Sequence, residues 1–263
     1  MTAVLFDLDG VLYQKGEAIR GAAETVTWFQ ERKIPHLFLT NTTSKPRTAL
    51  VEKLAAFDIE VEAARILTPA LAAVHWLKEH PTDKPTALFV PDATREEFAD
   101  VELLPDSADS GAGAVVVGDL GEGWDFHTLN RAFRLLIDET RPTLIALGMT
   151  RYWLAPDGLR LDTAPFVVAL QHASGTRPLV LGKPAAPFFQ AALEMVGEPA
   201  SNTVMVGDDI RGDIGGAQQI GVRGILVRTG KFRPADLEQD IEPAAVIDTI
   251  ADLPAWWKKD VGL

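Results

Sequence analysis

Four short segments of this 263-residue chain carry side chains that could do chemistry. Phe6-Asp7-Leu8-Asp9-Gly10 places two carboxylates just past an apolar run, beside a glycine that permits a sharp turn. Two like charges so close need a cation or a proton between them. Phe38-Leu39-Thr40-Asn41-Thr42-Thr43-Ser44 ends a second apolar run in hydroxyls. Hydroxyls and backbone N–H groups at a helix start can hold phosphate oxygens. Val180-Leu181-Gly182-Lys183-Pro184 offers a lysine at a strand end as a fixed positive charge. Val206-Gly207-Asp208-Asp209-Ile210-Arg211-Gly212-Asp213 carries three acids where a strand would hand over to a helix. Asp209 and Asp213 are four apart and would share a helix face. Hard oxygen donors of this kind suit Mg2+.

Each segment also has a plain reading. The acid pair could be a strand-ending turn and the hydroxyls a helix cap. Lys183 could be a solvated loop residue, and the acids could complement a helix dipole. Together the four weigh differently. Each follows an apolar strand run, so one parallel sheet could bring all four to one rim, where ligands of α/β sheets bind. Two acids, a hydroxyl, a lysine and an acidic cluster make up the parts of phosphoryl transfer: nucleophile, acid/base, phosphate clamp and metal site.

The elements that would position them alternate. Val4 to Phe6 reads as a buried strand, and Ala22 to Arg32 as a helix with Ala22, Val26 and Phe29 at helical spacing. His36 to Leu39 with Lys45 to Phe57, then Ile66-Leu67 with Pro69 to Lys78, repeat the pair. A second block alternates strands at Thr86 to Val90, Ala114 to Val117 and Thr143 to Leu147. Its helices are expected at Thr94 to Glu102, Phe126 to Glu139 and Pro165 to His172. A third block holds strands at Leu179 to Leu181, Thr203 to Val206 and Gly224 to Val227. Its helices are expected at Pro187 to Val196, around Asp213 to Ile220, and near Thr249 to Lys258.

Such alternation predicts an α/β fold with a parallel sheet covered on both faces. The polar, proline-bearing stretches His80 to Pro85 and Ser174 to Pro178 are the candidate boundaries. The expected architecture is a Rossmann-like, doubly wound core in two parts, residues 1–82 and 179–263, with an inserted α/β cap domain at 83–178.

Composition narrows the function. The formal charge of −12 disfavours nucleic acid and anionic membrane as partners, and it demands local cations or a metal at any phosphate site. The absence of cysteine excludes disulfides, zinc–thiolate sites and thiol catalysis. The apolar run before Asp7 is too short for a signal region, and no stretch nears the roughly 18 apolar residues of a membrane span. A cytoplasmic location is the expectation.

The four segments resemble, in order, the four motifs of the haloacid dehalogenase (HAD) superfamily. Asp7 to Tyr13 is similar to the first motif, Thr40-Asn41 to the second, Lys183 to the third, and Gly207-Asp208-Asp209 to Asp213 to the fourth. The long gap between the second and third resembles the class with a large cap inserted there, class IIA. The runs Gly207 to Gln218 and Thr229 to Pro234 resemble the subgroup of phospholysine, phosphohistidine and inorganic pyrophosphate phosphatases. Ala132 to Leu136, Arg151-Tyr152 and Pro165-Phe166 agree with it. The presence of Asp9, where some relatives carry Ser, argues for phosphatase rather than dehalogenase chemistry.

The resemblance implies a Mg2+-dependent phosphatase acting on a small phosphorylated substrate. It implies that Asp7 attacks phosphorus and becomes an aspartyl-phosphate. Asp9 protonates the leaving oxygen and then activates water. Thr40, Asn41 and Lys183 grip the phosphoryl oxygens. Asp7, the Asp9 backbone carbonyl and Asp208 hold Mg2+, while Asp209 and Asp213 orient metal waters or Lys183. A homodimer through the cap is expected by analogy alone. Three alternatives stay open: a phosphotransferase, a pyrophosphate or phosphoamide hydrolase, and a receiver-like signalling module without turnover.

Other features read as structural. The five histidines are scattered, and Gly111 to Gly113 precedes a strand rather than following one. Gly230-Lys231 lacks the Ser or Thr of a P-loop. Arg151, Tyr152 and Trp153 are equally readable as substrate-facing or as packing residues.

Overall fold

The computed structural model describes residues 2–155 and 157–262, with the side chain of Leu154 outside the description. In chain order the strands are β1 (Ala3–Asp7), β2 (Tyr13–Gln14), β3 (Glu17–Ala18), β4 (His36–Leu39), β5 (Ile66–Leu67), β6 (Thr86–Phe89) and β7 (Ala114–Val117). They continue with β8 (Thr143–Ala146), β9 (Tyr152–Ala155), β10 (Gly158–Leu161), β11 (Leu179–Val180), β12 (Thr203–Gly207), β13 (Arg223–Val227) and β14 (Ala245–Ile247).

The chain forms two compact units. The first comprises Met1–Thr40, Arg47–Leu67 and Lys183–Leu263. Its sheet has the order β14-β13-β12-β1-β4-β5, and every neighbouring pair is parallel. Strands β1 and β12 are buried along their whole length, as expected where helices cover both faces. From β1 the chain winds outward one way through β4 and β5, and the other way through β12, β13 and β14. The direction reverses between β1 and β12, which is the doubly wound pattern with its switch point there.

Helix Ala22–Glu31 closes one face. Its Phe29 packs edge-on against Phe6 of β1 at 5.3 Å and against Trp257 at 4.9 Å. These rings anchor a core that also holds Leu8, Leu12, Leu54 and Val206.

The second unit comprises Asn41–Pro46 and Thr68–Gly182. Its parallel sheet runs β11-β8-β7-β6. Helix Phe126–Ile137 buries Ala132, Leu135 and Leu136, while Asp125 caps its start by accepting from the Thr128 N–H at 2.7 Å. Helix Thr163–Ser174 packs beside it and buries Val167 and Leu170 in the same core. Helix Pro69–Glu79 starts on a Thr68 cap with proline in its first turn.

Five local expectations change. The helix expected at Thr94 to Glu102 is only a turn at Asp92–Arg95 and a 3-10 turn at Glu96–Phe98. Glu96, Asp100 and Glu102 are exposed, and Phe98 is the one buried apolar residue of the stretch, too little for an amphipathic helix. The helix expected from Asp213 to Ile220 is a π-helical turn, Ile210–Gly215, and a short helix, Gly216–Gln218. The tail contains edge strand β14 before its helical turns, and β9 and β10 form an antiparallel hairpin that sequence periodicity did not reveal. Finally, β11 pairs with β8 and joins the second sheet, so Lys183 does not end a strand of the first.

Candidate active site

Asp7 is the last residue of β1, and its in-register neighbour on β4 is Leu39. Phe6 is in register with Val206 of β12. Thr40 follows β4 and Asp208 follows β12, so three adjacent strands deliver Asp7, Thr40 and Asp208 to the carboxyl edge of one sheet. Asp7, Thr40 and Asp208 are all buried, whereas Asp9, two residues beyond the strand, is exposed. The Thr40 N–H donates to the Leu67 carbonyl at 3.2 Å, which fixes the start of its loop.

Lys183 reaches this edge from a loop rather than a strand. Its ammonium lies 2.5 Å from Asp7 Oδ1 and 2.7 Å from Asp213 Oδ1, with all three side chains buried. Burial works against the Lys183 charge, but Asp213 and Asp7 outweigh it and hold the ammonium above the usual lysine range. Burial pushes the Asp7 carboxyl up to about 8, against the pull of Lys183, and the Asp213 and Asp208 charges add to the rise. Burial also pushes Asp208 up to about 6, opposed by a hydrogen bond from the Lys231 N–H.

Asp209 and Asp213 divide their work differently from the expectation of a shared helix face. Asp209 caps the π-helical turn, accepting from the Gly212 N–H at 2.8 Å and the Arg211 N–H at 3.1 Å. Its other oxygen lies 3.2 Å from the Lys231 ammonium. Burial would raise Asp209, but these N–H groups and Lys231 hold its carboxyl below the usual range. Asp213 turns back, accepting from the Asp209 N–H at 3.2 Å and pairing with Lys183. Asp213 is therefore the acid that meets Lys183, and Asp209 meets Lys231.

Asp7, Asp208 and Asp213 each offer a carboxylate oxygen within 4.8 Å of the others. Asp208 Oδ1 is buried without a hydrogen-bond partner among the described residues. An orphaned buried carboxylate oxygen is costly unless a cation takes it. An all-oxygen donor set of this kind could hold a hard divalent cation. The Asp9 carboxylate is outside the group.

Asn41 falls in the second unit, where its Oδ1 would lie 3.2 Å from a Cβ placed on Gly182. Tyr152 and Trp153 lie on the β9–β10 hairpin of that unit and are 52% and 42% exposed. Sequence reasoning noted Thr229 to Pro234 only as part of a resemblance and gave no site role to this loop after β13, whose Lys231 N–H donates to Asp208 Oδ2 at 2.7 Å. The signal was available, since this loop also follows a strand of the first sheet.

A parallel, doubly wound sheet with an acid-and-lysine cluster at its switch point defines a class of hydrolase. The sequence profile of the haloacid dehalogenase-like hydrolases matches residues 4–103, and a second profile, HAD-hydrolase-like, matches residues 180–253. The chain is 37% identical to the phospholysine phosphohistidine inorganic pyrophosphate phosphatase of Homo sapiens over 95% of its length and 91% of that protein. It is 40% identical to the haloacid dehalogenase-like hydrolase domain-containing protein 2 of Bos taurus, over 93% of this chain and 90% of that one. The solved p-nitrophenyl phosphatase from Archaeoglobus fulgidus superposes with a TM-score of 0.86 at 25% identity, covering 97% of this chain and 98% of that one. The chain belongs to the haloacid dehalogenase-like hydrolases and is an enzyme of the phosphatase kind. Among its described residues, no helix is long and apolar enough to cross a membrane.

Proposed function

We propose that the protein is a Mg2+-dependent phosphatase that hydrolyses small phosphate compounds through an aspartyl-phosphate on Asp7. The observation that carries this reading is the buried Asp7–Lys183–Asp213 chain beside the orphaned Asp208 oxygen.

In the reaction, an Asp7 carboxylate oxygen attacks phosphorus while the bond from phosphorus to the leaving oxygen breaks. Asp9 gives its proton to that oxygen. Water then attacks the phosphorus of the acyl phosphate, Asp9 takes the water's proton, and the Asp7 carboxylate is restored as phosphate leaves. Lys183 supplies a fixed charge against the phosphoryl oxygens, joined by Thr40 and Asn41. Asp7, Asp208 and the backbone carbonyl of Asp9 would hold Mg2+, which offsets the negative charge of the carboxylates and the phosphoryl group. Asp213 orients Lys183, and Asp209 orders the loop around it.

Residues 83–178 would act as a cap over a core made of residues 1–82 and 179–263, excluding water and choosing the substrate. The names of the relatives point to pyrophosphate and phosphoamides as substrates to be tried beside phosphate monoesters. The test is Mg2+-dependent phosphate release from p-nitrophenyl phosphate, followed by a panel of phosphorylated metabolites. Asp7→Asn is expected to abolish turnover. Activity near wild type in that variant would refute the nucleophile assignment, and a stable phosphoprotein without turnover would favour a receiver-like module.

A further inference from the structure

The loop that follows β13, Thr229-Gly230-Lys231, touches the groups on either side of the cation-binding carboxylates and has no part in the reaction as written. Thr229 Oγ1 donates to the Gly10 carbonyl at 2.5 Å, one residue past Asp9. Two residues on, the Lys231 N–H donates to Asp208 Oδ2 at 2.7 Å. One short loop thus ties the turn after β1 to the carboxylate after β12.

Between the two contacts there is no room for a side chain. A Cβ on Gly230 would lie 1.9 Å from Asp208 Oδ2 and 2.6 Å from Gly10 Cα. A Cβ on Gly10 would lie 2.0 Å from the same oxygen. Both glycines also have positive φ, +65° and +88°, which L side chains rarely adopt. Two backbone segments, the Gly10 turn and the Thr229–Lys231 loop, therefore converge on one carboxylate. The contact occupies Oδ2 and leaves Oδ1 as a buried oxygen with no hydrogen-bond partner among the described residues.

We infer that Thr229 is a positioning residue that locks the Asp7–Asp9 turn against Asp208 and so sets the affinity of the site for its divalent cation. The inference rests on the Mg2+-dependent reading above. A threonine suits the task because its β-branched side chain is stiff at χ1 and presents the hydroxyl in a fixed direction. Valine would keep the shape and lose the donor. The Gly10 carbonyl would then lack this partner, and the turn would be free to drift from Asp208. Outer partners of metal ligands typically change metal affinity by about 10–100-fold when removed.

The test compares wild type with Thr229→Val, Thr229→Ala and Thr229→Ser. Its readouts are the Mg2+ concentration that gives half the Mg2+-induced rise in Tm and, separately, KM for p-nitrophenyl phosphate at saturating Mg2+. Thr229→Val is expected to raise the half-point by about tenfold or more. Thr229→Ser, which keeps the hydroxyl, is expected to stay near wild type, and KM at saturating Mg2+ is expected to hold in all variants. Should the valine variant not fold, Thr229→Ala carries the same expectation. A half-point for Thr229→Val within about twofold of wild type, or equal weakening by Ser and Val, would overturn the inference. A wild-type protein whose Tm ignores Mg2+ would instead overturn the reading beneath it.

Discussion

Lys183 and Asp213 form a buried ion pair of 2.7 Å, and Lys183 spends its remaining charge on Asp7. Asp213 therefore holds the lysine in place while Asp7 is free to react. Removing one partner of a buried pair typically costs about 3–5 kcal/mol. Lys183 keeps Asp7 in Asp213→Ala, so the low end applies, a fall in Tm on the order of 10 °C for a chain this long. Calorimetry together with phosphate release would check it. A variant with wild-type Tm and turnover would show that Lys183 needs no second anchor.

Asp7 carries a pH signature that follows from its burial. Its carboxyl sits near 8 in the folded state against 3.8 in the unfolded chain. Between those values the folded protein holds a proton that the unfolded chain has released, so this residue's contribution to stability is lost as pH rises through that window. Asn mimics the protonated form at every pH. In EDTA, the Tm of Asp7→Asn relative to wild type is expected to climb from pH 5 to pH 8, by at least several degrees. A Tm difference that stays flat with pH would mean that Lys183 keeps Asp7 ionised throughout.

Asp9 differs from its neighbours in being exposed, so its loss should separate chemistry from folding. Asp9→Asn is expected to lower turnover by about 10²–10⁴-fold, the usual worth of a general acid–base, with Tm nearly unchanged. Because the same residue activates the water, the phosphoryl adduct on Asp7 should persist long enough for mass spectrometry of the quenched protein. Turnover within about threefold of wild type would remove Asp9 from the mechanism.

Much of this site was legible because a parallel sheet converts sequence order into position. Apolar runs ending in Asp7, Thr40 and Asp208 are strands β1, β4 and β12, and adjacency in the sheet brings their ends together. What escaped is geometry that periodicity does not encode. Lys183 follows a two-residue strand whose apolar pattern fits either sheet, and pairing assigned it to the second. Asp209 and Asp213 are four apart, yet capping and the Lys183 pair wound the segment into a π-helical turn rather than an α-helix. Lys231 meets Asp208 through its backbone N–H, a group every residue but proline possesses, so that contact does not depend on its side chain.

Asp208 offers the sharpest test of the cation. Its Oδ2 is taken by the Lys231 N–H, and its Oδ1 is a buried oxygen with no hydrogen-bond partner among the described residues. A ligand that binds only the folded state stabilises it by about 2.7 kcal/mol at a hundred times its dissociation constant. Wild-type Tm is therefore expected to rise with Mg2+ and to fall back in EDTA. Asp208→Asn keeps an acceptor for Lys231 but loses the charge. It should abolish the Mg2+-dependent rise while tolerating EDTA as well as wild type or better, since the buried carboxyl pushed to about 6 is gone. Retention of a wild-type Mg2+ response in Asp208→Asn would place the cation away from this carboxylate and leave the orphaned oxygen to be satisfied by water.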